Sequence, residues 1–268
     1  MPPDNSDVTR VPAVVDTSRA NVARVHDYWL GGGFNFLADR DLARAITAVE
    51  PNAQAFARAN RDFLGRAVRF LAAEGITQFL DIGSGLPTQG NVHEIAGPDA
   101  RVAYVDADPV AVAHSKAILN GSTSAAVIAG DLRDPAAILA HETTRRLIDF
   151  GQPVGLLLIA VLHFIPDADD PWRMVAALRD AVPPGSYLAI GHATDAHNPR
   201  GARAFEKVYN NSSSTGVNVR SREEILRFFD GFELADPGLA YVSQWRPDPV
   251  PDTGPFHWGE LVGVARRP

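Results

Sequence analysis

The chain has 268 residues, a formal net charge of −7, 46% hydrophobic residues and no cysteine. That charge provides no basic field for nucleic acid or an anionic membrane, and the missing thiols exclude disulfides, thiolate metal sites and a cysteine nucleophile. No run of about 18 apolar residues occurs, so the expectation is no membrane span and a cytoplasmic home, with length for one large α/β domain and an appendage.

Met1 to Asp16 are polar and carry prolines without the apolar core of a signal peptide, which reads as a loose arm. Ser18 is placed to cap a helix reaching Leu30, with Val22, Val25 and Trp29 on one face and Gly31-Gly32-Gly33 as its stop. Asp39 caps a second helix, striped by Leu42, Ala45, Ile46 and Val49 and ended by Pro51. A third runs from Asn52 to Ala73, with Phe56, Phe63, Ala67, Phe70 and Leu71 inward and Gly75 as its C-terminal stop. Residues 1–75 thus read as a helical extension, or lid, ahead of a core over 76–268.

Strands then fall near 77–82, 101–106, 125–129, 153–161 and 185–192, with helices near 88–97, 109–120, 134–148 and 170–182 between them. Val102 to Val105 and Leu156 to Val161 are apolar on both faces, the pattern of a parallel sheet covered on two sides. After Ala193 come helices near 200–210 and 222–230. Gly238 to Trp245 and Trp258 to Arg266 then read as an antiparallel pair around the turn-rich Pro247 to Pro255. The polar run Asn210 to Gly216 reads as a mobile loop.

Chemistry concentrates at three strand ends. Asp81 closes the first strand and the turn Gly83-Ser84-Gly85 follows at once. Asp106 closes the second, before Ala107-Asp108, and the third runs into Gly130-Asp131-Leu132. In an open α/β sheet ligands sit at the carboxyl ends of strands. Gly83 and Gly85 let a ligand approach the backbone. Asp106 can accept hydrogen bonds from both ribose hydroxyls, and Asp131 one from an adenine amino group. Asp81, just before the glycines, would repel a phosphate and attract an amino or sulfonium group. The third glycine of a dinucleotide fingerprint is replaced by Thr88, and a phosphate-loop lysine is missing. The pattern therefore points to a nucleoside that carries a positive charge, S-adenosylmethionine (SAM).

Strand residues 77 to 83 rise about 20 Å, and the preceding helix climbs about 18 Å between residues 73 and 61. Arg61 should thus stand level with Gly83, where the methionine carboxylate of SAM offers a fork-shaped contact; a surface ion pair with Asp62 or a neighbouring helix is the alternative. The loop bearing Gly32 and Gly33 closes over the cofactor with Tyr28 against it, or is a plain flexible stop. Asn91 could reach the methionine amino group. His93 and Glu94 lack a second histidine at ligand spacing, so no metal is expected. His163, after the fourth strand and Ala160-Val161, is either a general base or a buried ring that holds backbone. His192 and Tyr209 either line the acceptor pocket or belong to the core.

Several of these segments also carry a resemblance: Arg24 to Gly32 with Asn35-Phe36, Asn60 to Leu64, Gln78 to Thr88, Asn91 to Glu94, Tyr104 to Pro109, Val161 to Phe164 and Gly185 to Leu188. From Thr17 to Arg266 the chain resembles the bacterial S-adenosyl methyltransferase family formerly catalogued as a domain of unknown function, DUF574, within the class I SAM-dependent methyltransferases. The resemblance implies a Rossmann-like, mostly parallel seven-stranded sheet with helices on both faces, and SAM at Asp81, Gly83, Gly85, Asp106 and Asp131. It supplies no acceptor. The expected reaction is methyl transfer, yielding S-adenosylhomocysteine (SAH), to a hydroxyl, phenol or amine of a small molecule, plausibly a specialised metabolite, by a monomer or homodimer. The alternative is a SAM- or SAH-binding protein without transferase activity, serving as a sensor or interaction module.

Overall fold

Near-complete burial of consecutive residues fixes where the sheet lies. In the computed structural model, which describes residues 16–87, 90–213, 216–248 and 259–268, five parallel strands are β1 (Gln78–Ile82), β2 (Arg101–Asp106), β3 (Ala125–Ala129), β4 (Gly155–Ile159) and β5 (Tyr187–Ala193). Three more follow: β6 (Glu233–Leu234), β7 (Ala240–Tyr241) and β8 (Glu260–Arg266). The order is β3-β2-β1-β4-β5-β8-β6, with β7 also paired to β8, and β8 runs antiparallel to β5. Side chains alternate across the sheet. Leu80, Val105, Leu156, Leu158 and Ile190 enter one core, while Phe79, Val102, Tyr104, Leu157 and Val262 enter the other.

The helices are α1 (Val22–Trp29), α2 (Leu37–Val49), α3 (Ala53–Ala73), α4 (Val92–Ile95), α5 (Pro109–Ile118), α6 (Pro135–Ala140), α7 (Glu142–Leu147), α8 (Pro171–Ala181), α9 (Pro199–Ser212) and α10 (Arg222–Leu226). Helix α3 packs Phe63, Leu64, Val68 and Leu71 onto the sheet. Helices α1 and α2 instead join α9 in a separate cluster around Val25, Trp29, Leu42, Ile46 and Tyr209. The cap over the strand ends is thus built from both ends of the sequence, with α3 as part of the sheet layer.

Several boundaries correct the sequence reading. Eight strands form where seven were expected, because Glu233-Leu234 pairs with Arg266 and Ala265; a two-residue run is too short to show alternation. Asn21, not Ser18, caps α1, accepting from the Ala23 amide at 2.8 Å. Asp39 lies inside α2, not at its cap. It accepts from the Phe36 amide at 2.7 Å and the Asn21 amide at 2.9 Å, and pairs with buried Arg24, so it ties α1 to α2. The helix expected over 134–148 breaks at His141, whose ring accepts from the Thr143 amide and caps α7. The one expected over 88–97 shrinks to α4. Asn210 to Ser212 are the last turn of α9 rather than a loop, and the Asn210 Oδ1 accepts from the Val217 amide at 2.6 Å. The N-terminal arm through residue 15, Thr88, residues 214–215 of the polar run and 249–258 lie outside the described residues. Among the described residues no helix is long and apolar enough to cross a membrane.

Candidate active site

Strand β1 pairs with β2 on one side and β4 on the other, so connections diverge there and a crevice opens at its carboxyl end. The turn after it needs glycine. Gly83 and Gly85 have φ of +75° and +68°, and a Cβ on Gly83 would lie 2.5 Å from the Val161 side chain. Asp106 stitches this turn in place: one carboxylate oxygen accepts from the Gly85 amide at 2.7 Å, the other from the Asp108 amide at 2.8 Å. Asp108 in turn caps α5. Each Asp106 oxygen retains a further lone pair for a ligand.

Burial dominates the electrostatics. It pushes the Asp81 carboxyl up to about 7, against the pull of Arg61 and with help from Asp106. It pushes Asp106 up to about 6, partly offset by the amides of Asp108 and Gly85. Two carboxyls held this far above the usual range mark a place built to receive positive charge or hydrogen-bond donors. Ser84 adds a hydroxyl oxygen that is buried with no protein partner.

These residues form one end of a cavity of about 760 Å³ that continues beneath the cap. Asp81, Gly83, Ser84, Gly85, Asp106, Ala107, Asp108, Gly130, Asp131 and Leu132 all border it, with Ala160 and Val161 opposite. Arg61 borders it too, with Asp81 acting on its charge and its guanidinium donating to Asn91 at 3.2 Å; the charge thus faces inward, not toward Asp62. Asp131 sits at the exposed edge and is shared with Arg133 at 3.1 Å. Asn91 borders a small adjoining recess with Arg61, His93 and Tyr104. Among the described residues no cluster of ligating side chains could hold a metal ion.

The triglycine reading needs correction. Tyr28 packs in the cap cluster, and neither it nor Gly32 nor Gly33 borders the cavity; α1 presents Ala23, His26, Asp27 and Trp29 instead, followed by its C-cap Leu30. Asp27 accepts from the Phe34 amide and the Asn35 side chain, both at 2.9 Å. A Cβ on Gly32 would sit 2.0 Å from its carboxylate, so Gly32 permits this close approach. Phe34 and Phe36 then pack against Leu86, Val110 and Ala111. The loop is pinned to α5 rather than swung over the cavity.

The other end of the cavity is aromatic: Phe56, Phe164, Phe205 and Tyr209 border it, and three imidazoles, His26, His163 and His197, stand on the cavity wall. His163 Nδ1 accepts from the Ala193 amide at 3.3 Å. An amide can only donate, so the neutral ring carries its proton on Nε2. Burial, Arg220 and His26 push this ring down to about 3. His163 thus holds backbone, the second of the two sequence readings, and has Nε2–H left over as a donor, which does not suit the general base of the first. His192 is not on the cavity wall. Its Nδ1 donates to the Ala193 carbonyl at 2.7 Å, and its Nε2 accepts from Arg220 at 2.7 Å, so both ring nitrogens are engaged by the protein.

Sequence reasoning missed His26. Burial and then Arg61 push it down to about 4, partly offset by the nearby Ala57 backbone. Its position one helical turn from Val22 and Leu30 was the available signal. It also missed Asn60, which borders the cavity and donates to the buried Glu260 at 2.7 Å; burial pushes Glu260 up to about 8. No local pattern links residues 200 positions apart.

The model of the S-adenosyl methyltransferase family matches residues 9–268. Two solved structures are similar over most of their length. One, from Thermobifida fusca and provisionally named a methyltransferase, is 41% identical with a TM-score of 0.88, covering 94% of this chain and 96% of that one. The other, a DUF574 family protein from Streptomyces avermitilis, is 37% identical with a TM-score of 0.90, covering 94% and 99%. An O-methyltransferase family protein from Burkholderia thailandensis is 13% identical with a TM-score of 0.54, over 85% of this chain and 59% of that one, and shares the fold alone. No protein with a curated description matches the chain.

Proposed function

Given that the chain belongs to the S-adenosyl methyltransferase family, we propose that it methylates a small molecule held at the aromatic end of the cavity, with SAM at the strand ends. The observation that carries this reading is the arrangement around Ser84: an orphaned buried hydroxyl and two carboxyls of raised pKa, at one end of a cavity that has an apolar far end. A cavity of about 760 Å³ lies in the usual range for small-molecule sites. The residues fit the cofactor. Asp106 accepts the ribose hydroxyls, Asp81 balances the methionine ammonium, Arg61 meets its carboxylate and Ser84 completes the polar wall. Asp131, being shared with Arg133, contributes from the edge.

When bound, SAM supplies an electrophilic methyl group with a good leaving group. What remains for the protein is orientation and exclusion of water. Helices α1, α2 and α9 do both, acting as the lid expected of the N-terminal extension but with α9 as its third part. A sensor without activity would have no use for the aromatic end, which is why the enzyme reading stands above it.

Incubation of the protein with SAM and host cell extract should yield a product one methylene unit heavier, read by mass spectrometry; cofactor binding with no methylated product would leave the sensor reading. Binding should also depend on pH. Because Asp81 titrates near 7 in the free protein, a cationic ligand must displace its proton below that pH. SAM affinity should fall as pH drops from 8 to 6, by up to about tenfold per unit, with proton release detectable by calorimetry in buffers of different ionisation enthalpy. Stability has the opposite sign. The free native protein binds a proton that the unfolded chain has lost, so Asp81 contributes stability at acid pH that disappears as pH rises through 7. Affinity unchanged from pH 8 to 6 would remove Asp81 from the site.

A further inference from the structure

The sheet makes room for one polar pair away from the cofactor end of the cavity. Glu260 of β8 is buried on the face that α3 covers. Its Oε1 accepts from Asn60 Nδ2 at 2.7 Å, and its Oε2 has no protein partner. A Cβ on Gly191 would lie 2.5 Å from Glu260 Oε1 and 3.5 Å from Asn60 Nδ2, so the pair fills the space that a side chain on β5 would take. Gly191 lies between Ile159 of β4 and Val262 of β8. Asn60 therefore stands over β5, on the far side of β4 from the strand ends that carry Asp81 and Asp106. The hydrogen bond also fixes which way its amide is turned. Nδ2 can only donate, so Oε1 carries no proton and Oδ1 is left as the amide's acceptor. Oδ1 has no protein partner among the described residues, yet it is not sealed in as Ser84 Oγ is, and Asn60 borders the cavity. Two residues further along β5, His163 takes the Ala193 amide with Nδ1 and keeps its Nε2–H.

Resting on the methyltransferase reading, we propose that Asn60 sets specificity for the methyl acceptor: its Oδ1 takes a hydrogen bond from an O–H or N–H of the bound molecule, and Glu260 is the positioning residue that holds the amide in that orientation. A molecule without such a donor leaves Oδ1 bare in a closed cavity. A site built to pair a substrate O–H or N–H refuses the analogue that lacks it for this reason. A carboxylate is refused more strongly, because its lone pairs would face Oδ1. Phe56, Phe164 and Phe205 provide faces for a planar ring, so the donor is a ring N–H or an O–H carried on an aromatic ring. Glu260 does not border the cavity and acts only through Asn60. Without it the amide can turn over and present Nδ2, and the preference for donors is lost.

The test uses two pairs of probes of matched shape, indole with benzofuran and phenol with fluorobenzene, titrated at pH 7.5 into the SAH-loaded protein and followed by NMR. In each pair the member with the donor should bind at least about fivefold tighter, the range for a buried acceptor left bare, and it should shift the Asn60 side-chain amide signals. Asn60→Leu should bring both ratios to about one. Glu260→Leu should do the same with Asn60 intact, and Glu260→Gln, whose side-chain oxygen can still accept, should restore the preference. A Glu260 that only supports the fold would instead weaken both members alike and leave the ratios unmoved. One Asn60 Nδ2 proton of the unsubstituted protein should exchange slowly, a readout independent of any variant's folding. Equal binding within the pairs, ratios unmoved by Glu260→Leu, no binding of any probe or a rapidly exchanging Asn60 amide would each overturn the proposal. Failure of SAH itself to bind would instead overturn the function proposed above.

Discussion

Asp106→Ala should weaken SAH binding by about a thousandfold. Two charge-assisted hydrogen bonds to ribose hydroxyls are worth about 1.5–3 kcal/mol each, and the lower end already gives two orders of magnitude. The same substitution deprives the Gly85 and Asp108 amides of their acceptor, so the turn that should receive the cofactor also loosens. Asp106→Asn separates the two effects. Its single amide oxygen can serve one of those amides but not both, and its NH₂ faces the other, so an intermediate loss is expected. Calorimetry with SAH measures the affinity, and thermal melting of the same samples shows whether the fold survives. A loss of threefold or less in a folded Asp106→Ala protein would place the adenosyl group elsewhere.

That prediction draws on residues that were legible from local sequence. Asp81, Gly83, Gly85 and Asp106 lie at the ends of strands whose apolar runs mark them out, and the structure brings them to one crevice. Arg61 was also reachable, because an antiparallel helix and strand have fixed rises per residue. What stayed hidden depends on partners far apart in the chain. The proton positions on His163 and His192 are set by Ala193 and Arg220, and nothing beside either histidine signals them. His26 faced the cavity only because α1 packs against α2 and α3 as it does. The cap was half visible. Its N-terminal helices read plainly, but α9 joins them from residues 199–212, through packing that no periodicity in the first 75 residues reveals. Boundaries failed where a side chain ended a helix early, as at His141, or where a strand was only two residues long.

The largest stability effect should come from Arg220→Ala. The Arg220 side chain is 2% exposed, and its guanidinium donates to the Leu162 and Ile165 carbonyls, to His192 Nε2 and to Asp167. Removing it strips three buried acceptors of their donor at about 1–3 kcal/mol each. His192 cannot escape by moving its proton to Nε2, because Nδ1–H is held by the Ala193 carbonyl; with partial relaxation around the gap the expected net loss is about 3–5 kcal/mol, or roughly 10 °C in melting temperature. Asp167 is the wrong place to look for this energy. Its side chain is 61% exposed, so Asp167→Ala should cost about 1 kcal/mol or less. Lysine cannot replace the fork, and Arg220→Lys should recover only a minor part of the loss. The carbonyls that Arg220 holds flank the turn that carries His163, so the deletion should also loosen that ring at the cavity wall. Melting curves that rank Arg220→Ala no worse than Asp167→Ala would show that the exposed ion pair, not the buried carbonyls, is what Arg220 contributes.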